Sequence, residues 1–139
     1  MWVIFEGLDK SGKGTLEWEL LKATDFKHVI IDRGPAGYIV FDDLFKRRTK
    51  EGDNAYAKQI ADMRVCKDFV VVYCKASADV ALSRIEANGE TCPYNYLYAQ
   101  FLYDTAITEL YKKEGIKVIE VDTTKSIKEC VKKILGGLK

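Results

Sequence analysis

Val3-Ile4-Phe5-Glu6-Gly7-Leu8-Asp9-Lys10-Ser11-Gly12-Lys13-Gly14-Thr15 is the stretch from which the rest of the chain is read. Its first residues form an apolar run of the kind found in a buried strand. Gly7 to Lys13 then spell Gly-x-x-x-x-Gly-Lys, and Leu16 to Ala23 carry Leu16, Leu20 and Leu21 at the spacing of a short helix. Strand, glycine-bounded loop and helix are the context in which this spacing builds a phosphate cradle. Gly7 and Gly12 let the backbone curl with its N–H groups inward, and the helix N-terminus adds partial positive charge there. Lys13 brings a mobile charge suited to β- and γ-phosphates. The next position, where a hydroxyl for a magnesium ion is usual, is Gly14; the hydroxyl comes one residue later, at Thr15.

A chain of 139 residues can bury one core, and residues 1–139 read as a single domain. A net charge of +1 gives no reason to expect a coat on nucleic acid or a membrane surface, although it does not exclude nucleic acid. The one basic run, Lys46-Arg47-Arg48, reads as a solvated helix end. No apolar run approaches the ~20 residues of a membrane span, and no basic segment followed by a long apolar one opens the chain. Cys66, Cys74, Cys92 and Cys130 fit neither zinc nor redox spacing, Cys74 reads as a small core residue, and His28 reads as structural. These features point to the cytoplasm.

Four runs, Trp2–Phe5, His28–Ile31, Phe69–Cys74 and Lys117–Val121, are expected to be strands. They lack alternation, as strands covered on both faces do. Helical patterns separate them, so the expected fold is α/β, with a mostly parallel sheet of about four strands flanked by helices. Pro35 announces a helix with Tyr38, Phe41 and Phe45 on one side. Asp53 is a plausible N-cap for the next helix, which carries Tyr56, Ile60 and Met63. Ser77 caps a helix ending at Asn88-Gly89. Pro93 suits the first turn of a long helix with Leu97, Phe101, Ala106 and Leu110, and Ser126 to Glu129 form a capping box. The tyrosines from Tyr94 to Tyr103 read as helix packing.

Asp32-Arg33 ends the second strand with an acid and a base side by side. Strand C-termini in an open parallel sheet face the ligand crevice, so the pair arrives at the edge that holds the glycine loop. A carboxylate there can hold a hydrated magnesium ion, and a guanidinium can grip a phosphate with two hydrogen bonds.

At this point the chain resembles the thymidylate kinases, within the P-loop nucleoside-monophosphate kinases. Phe5-Glu6-Gly7-Leu8-Asp9 with Gly12-Lys13 is similar to their opening motif. Asp32-Arg33 is similar to their strand-end pair, Asp68 to Glu90 to their strand–helix–lid stretch, and Val118 to Asp122 with Ser126 and Glu129 to their last strand and helix. The resemblance implies a three-layer P-loop fold with a short lid around 88–93, and nucleotides, ATP and Mg2+ as ligands. It assigns the sugar hydroxyl of the acceptor nucleotide to Asp9, the acceptor phosphate to Arg33 and the magnesium shell to Asp32. It places Arg84 near the donor base and packs Thr123-Thr124 on adenine.

The departures are as informative. Gly14-Thr15 looks like the Gly-Lys-Gly-Thr of adenylate kinases, which leaves a direct Thr15–magnesium bond open. The lid has no arginine, and Lys10 inside the loop could supply the missing cation. Full-length relatives place a further strand and base-reading helices before the Asp-Arg strand, and here only a few residues remain. Base recognition must then come from Tyr38 to Met63, from the lid or from a partner subunit, which keeps a homodimer among the allowed assemblies. The expected function is an ATP-dependent nucleotide kinase. Its catalytic set is Lys13, Lys10, Arg33 and Asp32, its nucleotide-binding set is Gly7, Asp9, Lys10, Ser11, Gly12, Lys13, Gly14, Thr15, Arg84 and Thr123, and its metal set is Asp32 and Thr15. The alternatives are a kinase of a nucleoside or polynucleotide 5′-hydroxyl, with Asp32 as base, and a non-catalytic ATP- or GTP-binding module.

Overall fold

A computed structural model describes residues 1–139. Four strands form, β1 (Trp2–Glu6), β2 (Val29–Asp32), β3 (Phe69–Lys75) and β4 (Val118–Asp122), each within one residue of the expected run at either end. They are parallel, in the order β2-β1-β3-β4. Val3 stands opposite Ile30 and Val70, and Val72 opposite Ile119. The helices are α1 (Lys13–Ala23), α2 (Pro35–Leu44), α3 (Lys50–Val65), α4 (Ala78–Ala87), α5 (Tyr96–Ala106) and α6 (Ile127–Gly137). A π-helical turn at Ile107–Tyr111 and a 3-10 turn at Lys112–Glu114 continue α5. No helix is long and apolar enough to cross a membrane.

Successive residues of the central strands feed two cores. Val3, Phe5, Val70, Val72 and Cys74 pack on Leu16 and Leu20 of α1 and on Cys130 and Ile134 of α6. Ile4, Val71 and Tyr73 pack on the other face, against α2, α3, α4 and α5. β1 and β3 are thus covered on both sides, which explains their unbroken apolar runs. The outer strands depart from that expectation. β2 is partly exposed along its length, and β4 alternates, with Ile119 and Val121 inward and Glu120 and Asp122 outward. β2 forms an edge because residues 24–28 lead straight from α1 into it, with no strand beyond.

Capping side chains move two expected boundaries. Thr49 caps α3, its hydroxyl accepting from Gly52 N at 3.0 Å. Asp53 instead sits in the first turn, where a carboxylate is favourable, and pairs with Arg48. Asn95, not Pro93, opens α5, accepting from Tyr98 N at 3.0 Å. Ser77 and Ser126 cap α4 and α6 as expected.

The buried stripe of α5 also differs from the one expected. Tyr96, Ala99, Tyr103 and Ala106 face inward, whereas Leu97 and Phe101 are 71% and 67% exposed. Tyr103 and Tyr111 are drawn in because the core offers their hydroxyls an acceptor, Glu6, so burial costs them no hydrogen bond. On α2, Phe41 is buried but Tyr38 and Phe45 stand at the rim.

Candidate functional site

The loop between β1 and α1 lies at the C-terminal edge of the sheet, the side on which open parallel sheets bind ligands. Gly7 has φ +151°, and a Cβ there would stand 2.6 Å from Cys74 O and from Ser11 Oγ. Gly12 has φ +86°, and its Cβ would meet that of Thr123 at 2.9 Å. Both positions are closed to other residues by backbone conformation and by close neighbours. Lys10 is also left-handed, at φ +60°. Gly12 is the N-cap of α1 and no side chain caps that helix, so the first-turn amides are left for an anion. Ser11 is buried with its Oγ unpartnered.

Three charged groups meet on one side of α1. Lys13 Nζ forms a direct ion pair with Asp32 Oδ1 at the end of β2. Glu17 lies one turn along α1, on the same helical face, and its Oε1 is buried without a partner. Burial and the adjacent Asp32 carboxylate push the Glu17 carboxyl up to about 7. Asp32 moves the other way. Burial alone would raise it, but hydrogen bonds with Lys13 and Glu17 and the charges of Lys13 and Arg33 hold it below the usual carboxylate range.

Arg33 adopts φ +78°, with its N–H donating to Phe5 O at 2.8 Å. A non-glycine residue held there costs about 1–3 kcal/mol, and such strain gathers at functional sites. The guanidinium lies 4.1 Å from the centre of the Phe41 ring and 3.9 Å from Asp9 Oδ1. Its Nε is buried and unpartnered. The other Asp9 oxygen accepts from Tyr94 Oη at 3.2 Å, and Tyr94 meets Phe41 and Phe45 edge-on. Asp9, Arg33 and this aromatic wall bound one flank of the loop.

Arg84 of α4 bounds the other. It donates to Lys10 O and to Thr123 O, at 2.9 Å each, and so ties the loop to the turn after β4. With Lys10, Gly12, Thr15 and Thr123 it lines a cavity of about 430 Å³ that reaches Ile127 and Cys130. Thr15 is two residues from Lys13 and hence on the far side of α1. It faces the Arg84 cavity, whereas Asp32 meets Lys13. The structure therefore does not bring together the two residues expected to share a metal. Larger grooves, of about 730 and 1060 Å³, lie elsewhere.

Glu6 supports the site from behind. It is fully buried; Oε1 accepts from Tyr103 at 2.7 Å, and Oε2 accepts from Tyr111 at 2.5 Å and from Gly37 N at 3.2 Å. Tyr111 Oη in turn accepts from Ala36 N at 3.1 Å. A Cβ on Gly37 would stand 2.6 Å from both Glu6 Oε1 and Arg33 Cγ, so the turn carrying Arg33 is moulded onto this carboxyl. Burial pushes the Glu6 carboxyl up, against the pull of the tyrosine and backbone bonds. Sequence reading missed Glu17, Tyr94 and Tyr111 as parts of the site. Only Glu17 left a local signal, its i+4 spacing from Lys13.

No protein-family model matches the chain, and no curated protein matches its sequence. Solved structures share its fold. The deoxyadenosine kinase of M. mycoides, with the products dCMP and a flexible dCDP bound, aligns with a TM-score of 0.62 at 18% identity over 99% of this chain and 98% of that one. The same kinase with bound dATP aligns at 0.64 and 16% identity, over 99% of both chains. YorR of Bacillus subtilis, in complex with phosphorylated GDP, aligns at 0.61 and 22% identity over 98% of this chain and 94% of that one. At such identities the likeness is one of fold: a parallel sheet flanked by helices, in the P-loop kinase arrangement.

Proposed function

We propose that the protein is an ATP-dependent nucleotide kinase that transfers the γ-phosphoryl group to a (deoxy)nucleoside monophosphate. The observation that carries this reading is the Lys13–Asp32 ion pair with Arg33, turned toward Asp9, next in the chain, both at an uncapped glycine loop. The loop amides and Lys13 would hold the donor phosphates. The cavity lined by Arg84 and Thr123 would take the donor base, on the side opposite Arg33. Arg33, its Nε without a partner, would grip the acceptor phosphate, while Asp9 and Tyr94 would meet the acceptor sugar. Catalysis would rest on positioning and charge neutralisation, with Lys10 and Lys13 as the loop's cations. A phosphate acceptor needs no general base. Residues 88–93, without an arginine, would form the lid of a single kinase domain working in the cytoplasm.

The largely exposed carboxylate of Asp32 suits a hydrated magnesium ion, which prefers carboxylate and water, whereas the unpartnered Glu17 Oε1 is buried behind it. No group of three His, Cys, Asp or Glu side chains could hold a metal, so the ion would arrive with the nucleotide. Bound there, it would neutralise charge between the β- and γ-phosphates. Thr15 faces the other cavity and drops out of this set.

A second reading, a kinase of a nucleoside hydroxyl, draws support from the fold likeness to a deoxyadenosine kinase. Asp32 is ionised and becomes free to accept a proton once Lys13 turns to phosphate. A coupled ADP-release assay with Mg-ATP against deoxynucleoside monophosphates, nucleosides and 5′-hydroxyl oligonucleotides decides between the two. Turnover confined to monophosphates, and lost in Lys13→Ala and Arg33→Ala, is the expected result. Turnover confined to nucleosides would replace it with the second reading, and tight ATP binding without turnover would replace both with a binding module.

A further inference from the structure

The cavity beside Arg84 has two unlike walls. The glycine loop and the turn after β4 bring Lys10 and Lys125, and the last turn of α4 brings Arg84, Ala87 and Asn88. No carboxylate lines it. Its acceptors come instead from the end of α4.

Where a helix stops, its last carbonyls have no intrahelical partner and carry the partial negative charge of the dipole. In α4 the N–H groups of Asn88, Gly89 and Glu90 turn back to the carbonyls of Ile85 and Glu86, so the Ala87 carbonyl accepts from none of them. Asn88 adds a side-chain amide that can both accept and donate. That side chain is exposed, and the hydrogen bonds of this wall belong to Arg84, which gives its own to Lys10 O and Thr123 O. The other polar side chains of the cavity are differently placed. Lys10 and Lys125 only donate. The Thr123 hydroxyl donates to Lys75 O at 3.1 Å, and Thr15 stands in the first turn of α1, beside the loop. Asn88 is left as the side chain that can accept and donate at once, away from the loop.

We propose that Asn88, backed by the Ala87 carbonyl, reads the donor base and selects a purine with an amino group at position 6. The inference rests on the reading of this cavity as the donor-base site. An asparagine amide matches adenine by accepting from N6 and donating to N7, and the second N6 hydrogen falls to the Ala87 carbonyl. A 6-oxo purine would set its carbonyl oxygen against both acceptors. A site built to bond an N–H rejects the analogue that lacks it, because its own groups are then left unpaired. Lys125 would make the opposite choice, since an ammonium favours a carbonyl. It is a long exposed side chain that must be ordered to do so, whereas the Ala87 carbonyl is fixed by the helix.

The test is calorimetry on the full chain, in magnesium, with ADP, inosine diphosphate and pyrophosphate. The first two differ at position 6 of the purine, and the third has no base. ADP is expected to bind tighter than inosine diphosphate by about ten-fold or more, the scale of one bidentate base contact. Asn88→Ala is expected to cut that ratio by about five-fold and to leave pyrophosphate binding unchanged. Asn88 has φ −87°, open to alanine, so the change spares the fold. Equal binding of ADP and inosine diphosphate by the wild type overturns the proposal, and tighter inosine diphosphate overturns it in favour of Lys125. So does a ratio that Asn88→Ala leaves intact, or pyrophosphate binding that falls in step with ADP in that variant. Each of these results leaves the phosphate loop standing. A wild type that binds neither ADP nor pyrophosphate would overturn the nucleotide reading of the loop as well.

Discussion

Lys13 closes its ammonium on the carboxylate of Asp32, nineteen residues further along the chain at the end of the neighbouring strand. The lysine proposed to reach the nucleotide phosphates is therefore held by a partner it must leave. Asp32 is largely exposed, so the pair is worth about 1 kcal/mol or less. Asp32→Asn is expected to tighten ADP binding a few-fold in the absence of magnesium, as read by calorimetry in EDTA, and to lower turnover with Mg-ATP. Lys13→Ala is expected to cost about 10²–10³ in kcat, the scale for removing one preorganised cation or donor.

Glu17 makes stability depend on pH. Its folded-state value of about 7 lies above the ordinary 4.5, so the folded chain keeps a proton that the unfolded chain has lost. This contribution is complete below about 4.5 and disappears as pH rises to about 7. The facing groups are Asp32, Lys13 and Cys74. Because Glu17 is only half-buried, screening reduces the effect to about 1 kcal/mol. Urea midpoints measured from pH 4.5 to 8 should fall more steeply in the wild type than in Glu17→Gln, which keeps the raised Glu6 carboxyl. Parallel curves would contradict the assignment.

The frame of the fold was legible because its signals are local. Apolar runs mark the four strands, and Gly7 and Gly12 mark a loop that no other residues can build. The Asp32-Arg33 pair could be placed beside that loop because a parallel sheet gathers all its strand ends on one edge. What escaped was decided by partners far along the chain. Leu97 and Phe101 have the right period for a core but lose it to Tyr96, Tyr103 and Tyr111, two of which find Glu6 about a hundred residues away. Thr15 carries the expected hydroxyl, yet a shift of one residue on a helix turns a side chain by about 100°, enough to place it beside Arg84 rather than beside Asp32.

Arg33 reverses the usual ranking of glycine and alanine. At φ +78° an L-residue is strained, and only glycine is free of that cost. Arg33→Gly is therefore expected to be more stable than Arg33→Ala by about 1 kcal/mol. Both should lose activity alike, since both lack the guanidinium above Phe41. Thermal melts and initial rates on the two variants check this, and equal melting temperatures would mean that the turn relaxes when the arginine is removed.

Glu6 holds that turn by a route that mutation can trace. Its two oxygens accept three hydrogen bonds, from Tyr103, Tyr111 and Gly37 N, and none reaches water at a fully buried position. Replacing it with glutamine leaves the volume unchanged but turns an amide N–H toward donors, so one bond becomes a clash of donors. The expected loss is about 1–3 kcal/mol. Tyr111→Phe removes one of those donors and also frees Ala36 N. Combined with Glu6→Gln, it should cost less than the sum of the two single changes, because the second removes a group the first had already left unsatisfied. Denaturant unfolding of the four members of the cycle gives this coupling directly. Hydrogen exchange should also show the amides of residues 34–37 losing protection in Glu6→Gln before the sheet does. That order follows from the geometry: the carboxyl grips the start of α2, whereas β1 is held on both sides by β2 and β3 whatever residue stands at its end.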